Sequence, residues 1–469
     1  MLVTSTIPET LEEAIHALHG GTITATQLVQ DSLAKIFQKE GELHGFITVS
    51  KEEALLRAAQ IDQNYADHQV TGILAGIPIA HKDVFFTKDI RTTAGSKVLS
   101  GFKPDVNAIA LQILEDAGAI SLGKTNCHEF AFGSPALDDY FLAARNPWNA
   151  QHMPGSSSSG SATAVAAGYC FAATASDTGG SARHPSAACG LVGLKPTRDL
   201  IPKEGLIPLA PSLDTVGIIT RNVRDNLIML CAMVGTTTYQ DFLDQLRLEL
   251  PGIRIGVDFS HIETGELDNE VREQFLASLE VFKELGAHIV SIELPPLKNI
   301  AQSANHVINY EGWQELKDYY HGQKEQLGKG LQEKLEIASQ VSQQDYQLAL
   351  EEAQKYAELL TQQLKHQEGS IDVIVSIGRE SPAQTMEDLY RHPTGARSTC
   401  NRLYSLTGHP AITIPMGFSR NGMPLALQIA GQYHDEYLLY QVAHAFEKKR
   451  QVFSGVKNLP WQTSNANFS

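Results

Sequence analysis

Residues 176–190, SDTGGSARHPSAACG, place Ser181 directly after Gly179 and Gly180. Consecutive glycines let several backbone N–H groups converge on one point, which is what a developing oxyanion needs, and each such donor contributes about 3–4 kcal/mol to a transition state. The same letters describe a glycine-rich turn with a capping serine, and on this segment alone the turn is the simpler reading. A serine nucleophile also needs a base. His184 is near in sequence but is followed by Pro185, and His128 and His152 are isolated, so core or surface roles are the commoner explanation for all three. Lysine is the alternative base, and Lys82 stands at the end of an apolar run in IAHKD. A second hydroxyl-rich segment, GSSSSGS at 155–161, reads as a flexible linker by composition. Its flanks, RNPWN at 145–149 and a run of small apolar residues after it, are not linker-like and favour a tight loop that approaches a ligand.

Two other patterns point to different chemistry. Residues 118–125, GAISLGKT, match the phosphate-loop pattern G-x-x-x-x-G-K-[ST] letter for letter. That mechanism needs a strand, a loop of free N–H groups and then a helix. Here an amphipathic helix ending in Glu115–Asp116 comes first, and Ala119–Leu122 look like a buried strand, so a helix–turn–strand is expected and nucleotide binding is the remote alternative. The overlapping Ser121-x-x-Lys124 lacks the S-D-N and K-T-G segments that accompany it in β-lactamase-like enzymes. No G-x-S-x-G is present, which removes the usual α/β-hydrolase reading.

The elements that must position these residues alternate between helix and strand. Residues 8–39 predict two short helices, the second capped by Thr24 with Gln27 completing a capping box. Residues 72–80 predict a buried strand entering the turn at 81–83, residues 107–118 a helix, and 119–123 a strand. The small-residue stretch 160–174 predicts a tightly packed core helix. Strands are expected at 253–257, 288–293, 372–377, 411–416 and 424–430, helix across 331–366, and a terminal helix over about 435–449. This alternation is that of an α/β layered fold, and no repeat or linker divides the chain. We therefore expect one domain over 1–469.

Composition bounds the function class. With 37 basic and 53 acidic residues the net charge is −16, which argues against direct binding of nucleic acid or an anionic membrane. The five cysteines, at 127, 170, 189, 231 and 400, are scattered and odd in number, so a disulfide framework or zinc cage is not expected and a reducing cytoplasm fits. No run reaches the roughly 18 apolar residues of a membrane span.

Taken together, the segments GIPIAHKD (76–83), TTAGS (92–96), GKTNCHEFAFG (123–133), RNPWN, PGSSSSGSA (154–162), SDTGGSAR (176–183), CGLVGLKPT (189–197) and TGHPAITIPMGF (407–418) resemble the amidase signature family. The resemblance implies a single α/β/α domain with a large twisted mixed sheet covered by helices on both faces, a signature core at about 72–225 and a variable half at about 226–469 that shapes the substrate pocket. It implies an amidase in which Ser181 attacks the carbonyl of a small-molecule amide, releasing ammonia or an amine. Aligning PGSSSSGSA on the family's loop puts the relay serine, held in a cis peptide, at Ser157 rather than Ser156, with 75 residues between Lys82 and Ser157 and 24 between Ser157 and Ser181. Lys82 is then the base. The N–H groups around Thr178, Gly179 and Gly180 bind the oxyanion, and Ser158, Asp177 and Arg183 support the loops. Phe132, Gly133, Ser134 and Arg379 are the candidate substrate contacts. No metal or organic cofactor is required by this chemistry, and a homodimer is a further expectation. His81, Ala182 and Arg379–Glu380 depart from the usual family pattern. The nearest alternative is the ammonia-producing subunit of a tRNA-dependent amidotransferase, whose G-F-G-x-E-V-K-R-R-like segment is missing from 326–346.

Overall fold

The structure, a computed structural model, describes residues 7–137, 139–236, 238–264, 266–365, 369–391, 399–456 and 459–462. Its eleven strands are β1 (Phe46–Val49), β2 (Pro78–Lys82), β3 (Ile120–Thr125), β4 (Ala172–Asp177), β5 (Val192–Lys195), β6 (Thr215–Thr220), β7 (Arg254–Val257), β8 (His288–Ser291), β9 (Val373–Ile377), β10 (Ala411–Phe418) and β11 (Pro424–Ala430). All join one mixed sheet in the order β1-β3-β2-β4-β6-β5-β10-β11-β9-β7-β8. Strands β2 to β6 and β9 to β11 carry almost wholly buried residues, as strands covered on both faces must. One group of helices, Ser159–Ala166 and Arg183–Cys189, packs on the strands around the middle of the sheet. A second group, Val223–Met233, Asn269–Glu284 and Glu436–Arg450, forms another layer. This is the α/β fold that the alternation of elements predicts.

The helix at Ala25–Leu43 starts as expected, with Thr24 accepting from the Gln27 N–H and the Gln27 side chain returning the bond. Three readings need correction. The strand read at 72–80 is β2 at Pro78–Lys82, which puts His81 and Lys82 in the strand and not in a turn. The helical span 331–366 is broken between Ala338 and Gln343. The third is a helix that ends early. The stretch 160–174 is not one helix: the helix Ser159–Ala166 ends early, a turn follows, and β4 begins at Ala172. Alanine-rich sequence favours helix locally, but Ala172–Asp177 is claimed by ladders with β2 on one side and β6 on the other. The phosphate-loop match also resolves. GAISLGKT runs from the end of the helix Ile109–Asp116 through a turn at Gly118 into β3, and no α-helix starts at Lys124–Thr125, only a single 3-10 turn at Glu129–Ala131 further on.

Candidate active site

The candidate site lies at the carboxyl ends of two neighbouring parallel strands, where open α/β sheets place their ligands. The β2–β4 register sets His81 opposite Thr174, so Lys82, the last residue of β2, stands beside the end of β4. Alternation along β4 then sends Ser176 to one side and Asp177 to the other. Lys82 is fully buried, and its Nζ lies 2.8 Å from Ser157 Oγ and 2.8 Å from Ser176 Oγ. Burial pushes its pKa down to about 8, against the pull of Cys127, Asp214 and Asp177. Burial also raises the Cys127 thiol to about 12, so that thiol is neutral near pH 7 and exerts little of its pull there.

Ser157 sits just before the helix Ser159–Ala166, every residue of which is buried. Hydroxyls fasten this helix to the sheet. Ser158 Oγ donates to the Ser176 carbonyl at 3.2 Å, Ser161 Oγ donates to the Thr174 carbonyl at 2.9 Å, and Thr125 and Ser161 share a 2.8 Å bond. The Ser156 hydroxyl, by contrast, has no partner among the described residues. The loop's entry passes so close to Pro185 that a side chain on Gly155, at φ +121°, would lie 2.3 Å from its Cα. The expected cis peptide is not found: every peptide bond among the described residues is trans. Trans is favoured by about 3–4 kcal/mol for a non-proline bond, and Ser157 reaches Lys82 with it.

Asp177 organises the turn that carries Ser181. Its carboxylate accepts from the N–H groups of Gly180 at 2.9 Å and Ala182 at 3.2 Å, and from Arg183 Nε at 3.0 Å and Nη2 at 2.9 Å. Burial alone would raise its pKa; the Arg183 guanidinium and, more weakly, Lys195 overcome that and hold it at about 2. Arg183 is itself fully buried and also donates to Ser405 and Gln428. Thr178 Oγ1 donates to Asp214 at 2.5 Å. Gly180 sits at φ +111°, and a Cβ there would lie 2.7 Å from Asn401 Cβ, so only glycine fits. Ser181 follows, half-buried, just before the helix Arg183–Cys189. No hydrogen bond among the described residues joins it to Ser157.

The structure thus brings Lys82, Ser157 and Ser158 together, and Asp177 and Arg183 together around the glycine turn. Phe132 packs against Gly312 of the long helix Leu297–Gln323, and Gly133 and Ser134 lie against Leu331 and Gly330. Arg379 is placed differently from the loop contact read from the sequence. It is 3% exposed, donates to the Ser381 carbonyl at 2.7 Å, and sits 3.0 Å from His184 Nε2. Its donors are therefore taken up inside the protein. Ser176 and Asp214 were not singled out from sequence. Ser176 adjoins Asp177, and period-two alternation would have placed it opposite Asp177 had β4 been seen as a strand. Among the described residues no group of three or more His, Cys, Asp or Glu could hold a metal ion, and no helix is long and apolar enough to cross a membrane.

The family model for Amidase matches residues 27–440. This chain belongs to the amidase signature family. Its members act on carbon–nitrogen amide bonds, and this chain is an enzyme of that class. The A-subunit of glutamyl-tRNA(Gln) amidotransferase from Bacillus cytotoxicus is 34% identical over 475 residues, covering 95% of this chain and 98% of its own. Among solved structures, the peptide amidase of Stenotrophomonas maltophilia aligns with a TM-score of 0.80 at 28% identity, covering 96% of this chain and 98% of its own. The A-subunit of the same amidotransferase from Thermotoga maritima aligns with a TM-score of 0.77 at 28% identity, covering 94% of each.

Proposed function

We propose that this protein cleaves a carboxamide C–N bond through an acyl-enzyme on Ser181, and does so as the ammonia-producing subunit of a tRNA-dependent amidotransferase. The chemical half of the reading is carried by Lys82, fully buried and 2.8 Å from Ser157. Neutral Lys82 accepts the Ser157 proton as Ser157 accepts that of Ser181, whose Oγ bonds to the substrate carbonyl carbon. The Gly180 N–H is bonded to Asp177, so the donors for the oxyanion narrow from the predicted set to its neighbours Thr178, Gly179 and Ser181. As the tetrahedral intermediate collapses, the C–N bond breaks and the relay returns the proton to the leaving nitrogen. Water, deprotonated by the same relay, then cleaves the ester. The free-lysine pKa of about 10.4 would make this base scarce at pH 7, and burial supplies the correction.

The biological half rests on relatives that are A-subunits of glutamyl-tRNA(Gln) amidotransferase and match over nearly their whole length, and they favour this reading over a small-molecule amidase acting alone. In it the protein works with partner subunits, which handle tRNA on behalf of this acidic chain. Ammonia release from glutamine should rise when partner subunits and tRNA are added to the purified chain, and the subunits should co-purify. The stand-alone amidase is kept as a second reading on one observation: the helix Lys329–Ala338, KGLQEKLEIA, lacks the basic segment expected of such subunits. Fast hydrolysis of simple amides by the chain alone, unchanged by partners, would establish that reading instead.

A further inference from the structure

Alternation along β2 turns His81 away from Lys82, and His81 lines a cavity of about 390 Å³ that the catalytic groups do not share. Neither Lys82 nor the serines at 157, 176 and 181 belong to its lining. The cavity lies against β2 and β3, between the helices Lys51–Ala66 and Ile109–Asp116. Its walls include the buried side chains of Ile79, Leu111 and Ile120. Its charged residues are all exposed, at the rim, where Arg57 and Lys88 face Glu53, Asp89 and Glu115.

Two polar atoms at this cavity lack partners. The Ser121 hydroxyl oxygen is buried and has no hydrogen bond among the described residues. His81 is 4% exposed and uses one ring nitrogen: Nδ1 lies 3.4 Å from Thr174 Oγ1, and no hydrogen bond among the described residues reaches Nε2. The Thr174 hydroxyl already accepts from the Lys82 N–H at 3.3 Å, so its own proton is directed to Nδ1. Burial and, next, Lys124 push the His81 pKa down to about 3, so the ring is neutral at pH 7. A neutral imidazole carries one N–H, which these bonds assign to Nε2. Lys124 completes neither atom, because Phe85, Thr87 and Thr92 take its three N–H groups. A desolvated donor without an acceptor is costly until something supplies one.

We propose that this cavity is a second ligand site, and that it takes a small uncharged molecule, mostly apolar, whose hydrogen-bond acceptor meets His81 Nε2. Each feature follows from the lining. The apolar walls favour an apolar body, and the Nε2–H requires an acceptor. A cation is opposed by the Lys124 ammonium, which stands opposite His81 on β3. A carboxylate would be buried with no cation in contact, at a rim where acidic residues outnumber basic ones. The volume is that of a small-molecule pocket, many times the roughly 30 Å³ of one water. The site uses none of the groups of the proposed reaction and does not depend on it.

The probe is acetophenone, with ethylbenzene as an aromatic of similar size that lacks the acceptor. Nitrogen-15 in the histidine rings reports the contact without turnover, and the His81 signals are those missing from His81→Phe. In wild type His81 should show a bare Nδ1 and a protonated Nε2, and acetophenone should shift the Nε2 signal saturably. By calorimetry ethylbenzene should bind wild type at least about fivefold more weakly than acetophenone, and His81→Phe should weaken acetophenone by a similar factor, the scale of one hydrogen bond. If His81→Phe does not fold, Ser121→Leu decides: its side chain fills the cavity, so the saturable histidine shift should vanish. The site is overturned by equal affinities for the two probes, by a shift that persists in Ser121→Leu, or by movement of another histidine in place of His81. Absence of any saturable shift, the result for a cavity that holds water only, overturns it as well.

Discussion

Two buried lysines lie on adjacent parallel strands, Lys82 at the end of β2 and Lys124 in β3, and they resemble each other in almost everything except their partners. Both are fully buried, and burial lowers both to a pKa of about 8. Lys124 is met by the Phe85 carbonyl, by the Thr87 and Thr92 hydroxyls at 2.9 Å each, and by Asp83 at 3.7 Å. Three hydrogen-bond acceptors match the three N–H groups of an ammonium, and a carboxylate stands behind them. Lys82 has two serine hydroxyls and no carboxylate in contact. A hydroxyl can give a proton as readily as it can accept a hydrogen bond, so Lys82 can be neutral without stranding a partner. Burial makes both lysines less basic. The surroundings make one a candidate base and the other a structural ammonium.

The largest effect should come from removing Lys82. Lys82→Met is expected to fold, with circular dichroism like that of wild type, and to lose about 10⁴-fold or more in kcat/KM, leaving residual turnover from the oxyanion donors. Lys82→Arg should be nearly as poor, because a guanidinium does not deprotonate. Lys124→Met should invert the pattern. It leaves Asp83 buried without its cation, so chemical denaturation should report a loss of about 3–5 kcal/mol, while activity per folded molecule stays close to wild type. Were Lys124→Met stable but inactive, the contrast between the two lysines would be wrong. The smallest effect belongs to Ser176→Ala. It removes one of the two hydroxyls that aim Lys82, and about a tenfold loss is expected, on the scale of one hydrogen bond. Because Lys82 must shed its proton to act, kcat/KM should climb with pH and level off above about 8, and Ser176→Ala should move that inflection where a merely structural change would not.

The contrast between these lysines was partly legible beforehand. The motif at 76–83 singled out Lys82, and the acidic helix end at Glu115–Asp116 argued against Lys124 as a phosphate ligand. The glycine turn at 179–180 also follows from local letters, since a tight turn needs glycine, whereas the supporting role of Asp177 and Arg183 came with the family resemblance. What stayed hidden depended on pairing. β4 is alanine-rich and reads as helix until β2 and β6 are known to flank it, and with it Ser176 was missed. Arg379 illustrates the limit for side chains: a charged pair in a loop looks exposed, and only the fold shows that His184 and two loop carbonyls receive it.

The central claim, that Lys82 rather than Lys124 serves the nucleophile Ser181, is tested most directly by the rate at which a fluorophosphonate labels the protein, with the labelled peptide mapped by mass spectrometry. Wild type and Lys124→Met should label at Ser181, at rates that rise with pH to a plateau above about 8, and Lys82→Met should label orders of magnitude more slowly at every pH. Labelling of Ser181 in Lys82→Met at the wild-type rate, or labelling mapped to Ser157 in place of Ser181, would contradict the account.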